Sequence, residues 1–245
     1  MGTCIRITNL HKEYKKSVYH SERKVLRGVC VEIKKGEIYG LIGRNGTGKT
    51  TLLKCIAGLV VPTSGRVQIY EEDDEKNLCV IRKKMGALIN KPALDPDMSA
   101  WDNMKIAAIR KGLSDNDIID ALTLVGLYDK SALQIHDQVK TFSTGMRQRL
   151  GIAMAIMGKP EMIILDEPLN GLDPDGVFEI HELIRKLNCN GATILISSHL
   201  LRELDQIATK YGILKNGKII SEVTSKELQD RGQSLEDYYR AITKA

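Results

Sequence analysis

The spacing of apolar residues divides this 245-residue chain into strand-rich segments towards both ends and a helical segment between them. Short apolar runs with turn residues at their ends predict β-strands. The predicted strands lie at residues 25–33, 37–42, 66–70, 162–165, 193–197, 211–214 and 218–221. Asn216-Gly217, between the last two runs, is typical of the two-residue turn of a β-hairpin.

Helical periodicity dominates the middle of the chain, and two further helical segments lie among the predicted strands on either side of it. Helices are predicted at residues 51–59, 99–110, 114–125, 144–157 and 175–188, and the polar residues from 224 onward also have a helical pattern. Ser114 with Asp117 three residues later is typical of a capped helix start. The acidic run 71–75 is interpreted as a solvated loop. We therefore predict one α/β domain with a core at about 1–92 and 159–223, a helical lobe at about 93–158 and a helical tail at about 224–245.

The composition of the chain is that of a globular protein and argues against a membrane-spanning or secreted one. Hydrophobic residues make up 42% of the chain and charged residues 27%, which is ordinary for a globular protein. The chain has no run of about 18 apolar residues and no secretory signal pattern, and its five cysteines are scattered without a C-x-x-C pair. A cytoplasmic protein with reduced thiols is therefore expected. The net charge of +5 is mild and aromatics are only 4%, which favours a solvated surface over nucleic-acid binding.

Residues 43–50 read Gly-Arg-Asn-Gly-Thr-Gly-Lys-Thr and fit the phosphate-binding pattern G-x-x-x-x-G-K-[ST]. A predicted strand precedes this loop and a predicted helix follows it, which is the context that the motif requires. The three glycines allow the backbone to approach phosphates closely, and the helix start favours an anion. Lys49 is the expected charge for the β- and γ-phosphates, and Thr50 is the expected Mg²⁺ ligand. The loop predicts binding of Mg-ATP.

Two carboxylates, Asp166 and Glu167, end the predicted strand 162–165. Neighbouring strand residues point to opposite faces, so we expect one carboxylate to orient the Mg²⁺ shell and the other to polarise the attacking water. The alternative is a pair of solvated acids. His199 follows another apolar strand and is expected at the same edge of a parallel sheet, where ligands of α/β proteins bind, although a lone histidine there is usually a helix-start residue.

Five motifs in order resemble those of the ATP-binding subunit of ABC transporters, and the likeness covers nearly the whole chain. They are the glycine loop 43–50, the signature-like Phe-Ser-Thr-Gly-Met at 142–146, the Walker B strand ending in Asp166-Glu167, the D-loop-like segment 170–174 and His199. Residues 145–153 resemble most the bacitracin and lantibiotic export or immunity branch. The resemblance implies a P-loop NTPase core with a mixed sheet, an inserted helical lobe and an antiparallel β subdomain.

The same resemblance implies a role for each matching residue. Tyr14 would stack on adenine, with Tyr19 as an alternative, and Glu167, His199 and Lys49 would be catalytic. The ATP contacts would be Tyr14, Gly43, Arg44, Asn45, Gly46, Thr47, Gly48, Lys49, Thr50 and Thr51. Ser143, Thr144, Gly145 and Met146 would contact ATP bound to a second subunit, with Asp173 in the D-loop. Thr50, Asp166 and Asn90 would serve Mg²⁺.

The chain departs from the family pattern at two of these positions. Thr144 stands where the signature usually has a glycine, although a threonine can still cap the helix. Asn90 stands where the family has Gln or Glu, and its shorter side chain would reach Mg²⁺ only through water. Asn90 would therefore affect how tightly ATP hydrolysis is coupled to the membrane partner.

The function that the resemblance implies is ATP hydrolysis that powers a separate integral-membrane permease, for export of an antimicrobial peptide or similar compound. The subunit would sit on the cytoplasmic face of the membrane and form an ATP-dependent homodimer or pair with a related subunit. One alternative is a non-hydrolytic, ATP-gated regulatory subunit, suggested by Asn90 and Thr144. Another is a soluble ABC ATPase acting on ribosomes or DNA, which the single glycine loop and the lack of a heptad stretch disfavour.

Overall fold

The computed structural model describes residues 2–14, 23–128 and 133–244. The strands are β1 (Thr3–Tyr14), β2 (Arg23–Lys34), β3 (Ile38–Ile42), β4 (Ser64–Ile69), β5 (Gly86–Leu88), β6 (Met162–Asp166), β7 (Thr193–Ser198), β8 (Lys210–Lys215) and β9 (Lys218–Thr224). The α-helices are α1 (Lys49–Ile56), α2 (Glu75–Lys83), α3 (Ala100–Lys111), α4 (Asp115–Leu124), α5 (Thr144–Ile156), α6 (Pro174–Cys189), α7 (Leu201–Ile207), α8 (Ser225–Asp230) and α9 (Leu235–Lys244). Short 3-10 turns lie at Leu133–His136 and Val139–Thr141. Within the described residues, no helix has both the length and the apolar character needed to cross a bilayer.

The larger sheet has the strand order β5-β6-β7-β3-β8-β9 and is parallel except for the β8–β9 hairpin. Its central strands β3, β6 and β7 are buried along their whole length, as expected for parallel strands that are covered on both faces. Ile42 lies opposite Ser198, and Asp166 lies opposite Ser197. The register therefore brings the carboxyl ends of all three central strands to one edge.

Two hydrophobic cores cover the two faces of this sheet. Ile163 and Leu165 of β6 pack in the core that includes the helical segment, while Met162 and Ile164 pack in the other core with β1, β2 and α1. This alternation follows from the two-residue period of a strand. Both cores hold β6 in place and thereby fix the position of the carboxylates that follow it.

The second sheet is antiparallel and has the order β2-β1-β4. Strand β1 was not predicted, because a register shift around Asn9, whose φ is 48°, interrupts its apolar alternation. The predicted hairpin at Asn216-Gly217 is confirmed, with φ of 51° and 77° at these residues. A methyl group on Gly217 would lie 2.3 Å from the carbonyl oxygen of Val25, so the turn also requires glycine for its close approach to β2.

The interpretation of residues 71–75 as a loop is wrong at its end, because Glu75 is the first residue of α2. The Asp74 carboxylate caps this helix by accepting hydrogen bonds from the backbone N–H groups of Lys76 and Asn77. The polar composition concealed the helix, whose buried contact is Leu78. The predicted cap at Ser114 is confirmed, since the Asp117 carboxylate accepts from both the backbone N–H and the hydroxyl of Ser114.

Strand β5 packs closely against α5, which gives a test of this part of the fold. A methyl group on Gly86 would lie 2.1 Å from the carbonyl oxygen of Ala155 and 2.9 Å from Pro160. Because backbone must shift to admit it, we expect Gly86→Ala to lower the free energy of unfolding by about 3 kcal/mol, measured by chemical denaturation. Gly2→Ala is the matched control, because a methyl group there meets no atom of the described residues within 4 Å. Equal stability of the two variants would contradict the packing described.

Candidate nucleotide-binding and catalytic site

The glycine loop connects β3 to α1 at the carboxyl edge of the larger sheet. Gly46 and Gly48 have φ of 81° and 112°, a region that side chains disfavour. A methyl group on Gly43 would lie 2.6 Å from the carbonyl oxygen of Leu214, so this glycine is required for space rather than for dihedral freedom. The first residue of α1 is Lys49, which places a cation at the positive end of a helix. The loop is thus built to hold an anion.

The ammonium group of Lys49 is nearly buried, with 6% of its side chain exposed. It donates a hydrogen bond of 2.6 Å to the carbonyl oxygen of Gly43 and lies 3.1 Å from Oε1 of Glu167. A buried cation needs a partner of opposite charge, and Glu167 supplies it. The phosphate-binding lysine and the predicted catalytic carboxylate are therefore a contact pair.

Asp166 lies at the end of β6 and accepts hydrogen bonds from two hydroxyl groups. The Thr50 hydroxyl donates to Oδ2 at 2.7 Å, and the Ser197 hydroxyl donates to Oδ1 at 2.5 Å. The backbone N–H of Asn90 lies 3.4 Å from Oδ2. Asp166 is only 3% exposed, so these donors compensate for the burial of its charge. Thr50 and Asp166, which were both predicted to serve Mg²⁺, are in direct contact.

Glu167 points away from Asp166 because the chain turns sharply after the strand. Its φ is 50°, and its backbone N–H donates to the carbonyl oxygen of Ser197 at 3.1 Å. Two different functions were predicted from strand alternation, but the separation of the side chains arises from this left-handed residue instead. Such conformations are uncommon outside glycine and often occur at functional sites.

His199 contacts the second oxygen of the same carboxylate. Its Nδ1 lies 2.7 Å from Oε2 of Glu167. An ionised carboxylate only accepts hydrogen bonds, so Nδ1 carries the proton. His199 is the second residue before α7, at the sheet edge predicted for it. Glu167 is therefore held between a lysine and a histidine.

Tyr14 and the glycine loop line one cavity of about 420 Å³ together with Arg23 and Val25. Tyr14 is the last residue of β1 and pairs with Arg23 on β2, and the Lys12 ammonium lies 5.0 Å from the centre of its ring. Arg23 and Val25 were not predicted, because only the pairing of β1 with β2 brings them to the site. Tyr19, the alternative adenine contact, lies outside the described residues.

The signature residues lie elsewhere on the surface. Ser143 caps α5, its hydroxyl oxygen accepting from the backbone N–H of Met146 at 3.1 Å. Thr144 is the first helical residue, so the cap predicted for it belongs to its neighbour. Residues 143–146 line a separate cavity of about 560 Å³ with Gly171, Asp173 and Arg149. This cavity and the one around Lys49 have different linings, so one chain does not bring the two motifs together.

The remaining predicted residues have mainly local contacts. The Asp173 carboxylate caps α6 by accepting from the backbone N–H of Gly176 at 3.0 Å. Asn90 follows β5 with φ of 66°, a conformation that asparagine tolerates, and its side chain is exposed. Its backbone N–H contacts Asp166, whereas the family resemblance implied a role for its side-chain amide at Mg²⁺.

A strand, a glycine loop and a helix that begins with Lys49 and Thr50, facing the buried Asp166, define a P-loop nucleotide-binding protein. Within this class, the family model described as ABC transporter matches residues 26–170, more than half of the chain. The chain belongs to this family as an ATP-binding subunit. The predicted family and fold class are confirmed.

Similar proteins cover nearly the whole chain. The bacitracin transport ATP-binding protein BcrA of Enterococcus faecalis is 39% identical over 240 residues, which span 97% of this chain and 75% of the relative. The lantibiotic transport ATP-binding protein SrtF of Streptococcus pyogenes is 42% identical over 239 residues, 96% of this chain and 95% of the relative. The predicted likeness to the bacitracin and lantibiotic transport proteins is therefore confirmed.

Solved structures agree with this assignment. The ATP-binding subunit of an ABC transporter has a TM-score of 0.85 and 27% identity, covering 98% of this chain and 99% of that structure. A dimeric ATP-binding cassette bound to ADP and Pi in a post-hydrolysis state has a TM-score of 0.82 and 27% identity, covering 90% of this chain and 98% of that structure.

Proposed function

We propose that this subunit hydrolyses Mg-ATP to power a separate membrane permease, which exports an antimicrobial peptide or a similar compound. The observation that carries the catalytic part is the position of Glu167, whose two oxygens contact Lys49 and His199 at 3.1 and 2.7 Å. A carboxylate next to the phosphate-binding lysine is suited to activate water for attack on a phosphoryl group.

ATP binding uses the cavity around the glycine loop. The loop N–H groups and the start of α1 hold the phosphates, and adenine stacks on Tyr14, whose side chain is 38% exposed. Lys49 exchanges its contact with Glu167 for the β- and γ-phosphates, because both are anions that compete for the same buried ammonium group. Binding therefore releases Oε1 of Glu167.

The residues at the loop fit Mg²⁺. The Thr50 hydroxyl and the buried Asp166 carboxylate, 2.7 Å apart, are hard oxygen donors of the kind that Mg²⁺ prefers. Thr50 would ligate the ion, and Asp166 would orient its shell. When bound, the ion neutralises charge that develops on the phosphates. Asn90 reaches this region through its backbone N–H, so its amide acts at most through water.

Hydrolysis requires Glu167 to keep its orientation once Lys49 has left. The Nδ1–H of His199 supplies this by donating to Oε2, which leaves Oε1 to accept a proton from the attacking water. The left-handed backbone at Glu167, with φ of 50°, sets the direction in which its side chain leaves the strand. Contact of His199 with the γ-phosphate would place this pair beside the reacting atom.

Two chains are needed to complete each site. Ser143 and Gly145 lie at the start of α5 and line a cavity that Lys49 does not reach, so they are available to ATP held by another chain. The similar cassette bound to ADP and Pi is a dimer. We propose a head-to-tail pair of identical or related subunits, with Asp173 near the contact.

The permease contact is proposed for the exposed face of α3. Ile106 and Ile109 lie three residues apart on this helix, and both side chains are exposed. Neighbouring exposed apolar side chains are typical of a protein-binding surface. The names of the similar proteins BcrA and SrtF indicate transport of bacitracin and of lantibiotics by those proteins. This supports a permease partner at the cytoplasmic face and an amphipathic peptide substrate.

The first test is the steady-state ATPase rate at increasing protein concentration. Because each site needs a second chain, we expect the rate per molecule to rise with concentration and then to level off. A rate per molecule that does not depend on concentration would contradict the two-chain site. ATP binding without turnover would favour the regulatory alternative, unless addition of the permease in lipid vesicles restores hydrolysis.

A further inference from the structure

A buried histidine joins the two helices that follow the D-loop and His199. His181 on α6 is 1% exposed, and its ring faces α7. Its Nδ1 lies 3.0 Å from Oε1 of Gln206, and its Nε2 lies 3.3 Å from Oε2 of Glu203. The amide oxygen of Gln206 accepts, so Nδ1 is the protonated nitrogen. Nε2 then has no hydrogen-bond partner among the described residues, although it is buried.

The contact of His181 joins α6 and α7, and each of these helices starts next to a residue of the candidate site. Helix α6 begins directly after Asp173, which caps it, and α7 begins two residues after His199. Helix α7 has only seven residues, and its N-cap position, Leu200, provides no side-chain cap. A short uncapped helix depends on tertiary contacts for its stability. The polar contacts between α6 and α7 centre on Gln206, which also accepts from Arg185 through its backbone oxygen at 3.0 Å.

We propose that His181 is a positioning residue for ATP hydrolysis, which fixes α7 against α6 and thereby holds His199 on the catalytic carboxylate Glu167. The proposal rests on the hydrolytic function proposed above. It also links the D-loop, at one end of α6, to His199, at the start of α7. Movement of either helix would change the orientation of His199, which contacts Oε2 of Glu167 through its ring Nδ1 at 2.7 Å and through its backbone N–H at 3.4 Å.

The contact is also sensitive to protonation. The groups that face the ring are Glu203 and Gln206 from α7 and Arg185 and Glu182 from α6. Burial lowers the pKa of His181 and outweighs the opposing attraction of Glu203. The folded protein therefore favours the neutral ring. The neutral ring of His181 contributes to the free energy of unfolding. This contribution is complete above the pKa of the unfolded chain, about 6.5, and is lost as the pH falls through the lower pKa of the folded protein.

Two substitutions of His181 distinguish the effect of its hydrogen bond to Gln206 from the effect of the volume that its ring fills. His181→Leu fills a similar volume but removes the hydrogen bond to Gln206, whereas His181→Asn keeps a donor near the position of Nδ1. We expect His181→Leu to lower kcat about fivefold, the factor that corresponds to one hydrogen bond, with little change in KM. His181→Asn should retain most of the rate, and Lys186→Ala, on the same helix, is the control. An unchanged kcat in His181→Leu, or a change confined to KM, would overturn the proposal.

The pH dependence of stability tests the protonation. The free energy of unfolding of wild type should fall relative to that of His181→Asn as the pH drops below about 6.5, because the unfolded chain protonates His181 more readily than the folded protein does. A constant difference between the two proteins would contradict the neutral ring.

Hydrogen exchange of the α7 amides provides a readout that does not need turnover. We expect exchange to be faster in His181→Leu than in wild type, with α3 unchanged. If wild type does not hydrolyse ATP, the proposed function fails, while this measurement still decides whether His181 holds α7. Unchanged exchange in α7 would overturn the positioning role. If His181→Leu does not fold, the same comparison is made with Gln206→Leu, which removes the acceptor of the same hydrogen bond.

Discussion

Replacing Glu167 with glutamine is expected to lower the ATPase rate about a thousandfold, because the amide cannot accept the proton of the attacking water. ATP binding should be retained and become tighter, since the substitution removes the carboxylate that competes with phosphate for Lys49 at 3.1 Å. With hydrolysis blocked, the ATP-bound dimer should accumulate. Single-turnover assays measure the rate, and size-exclusion chromatography with and without ATP measures the dimer.

The matched control for this substitution is Glu161→Gln. Glu161 is exposed and immediately precedes the same strand, at the edge opposite Glu167, so its loss should leave the rate unchanged. A Glu167→Gln protein that hydrolyses ATP at the wild-type rate would disprove the catalytic assignment. A variant that loses ATP binding as well would indicate that Glu167 mainly supports the loop.

The second large effect is expected for Lys49→Ala. This substitution removes the charged hydrogen bonds to the phosphates, so the dissociation constant for ATP should rise about a hundredfold. It also leaves Glu167 without its lysine partner in a largely buried position, 18% exposed. Titration calorimetry measures the affinity, and circular dichroism confirms that the variant is folded.

Lys54→Ala, on the same helix, is the control for Lys49→Ala. Lys54 lies in the last turn of α1 and does not line the nucleotide cavity, so its loss should leave the affinity close to that of wild type. Equal affinities of the two variants would show that the loop binds phosphate without a specific cation. Weaker binding in both would point to a general effect of positive charge instead.

The central strands and the loop between β3 and α1 were predicted because their signals are local. Apolar runs at β6 and β7 and the glycine spacing of residues 43–50 are visible within short windows of sequence. Strand β1 and helices α2 and α7 were missed for physical reasons. A bulge interrupts the alternation of β1, α2 is mostly polar, and α7 has only seven residues. The division into lobes remains a prediction.

Some residues of the candidate site were likewise found from local motifs, and others were not. Lys49, Thr50, Asp166 and Glu167 were found from motifs, because each motif is a continuous segment. Arg23 carries no local signal, since it reaches the cavity only through the pairing of β1 with β2. The backbone contact of Asn90 with Asp166 could not be predicted either, because it depends on where β5 ends beside β6.

The sequence by itself determined the chemical groups of this site and their order along the chain. Tertiary structure decided which groups meet. Thr50 and Asp166 are 116 residues apart, and Glu167 and His199 are 32 apart, yet both pairs form hydrogen bonds of 2.7 Å. The physical reason is the parallel sheet, in which long crossovers return each strand to the same edge. The left-handed turn at Glu167 then directs its carboxylate towards Lys49 and His199 and away from Asp166.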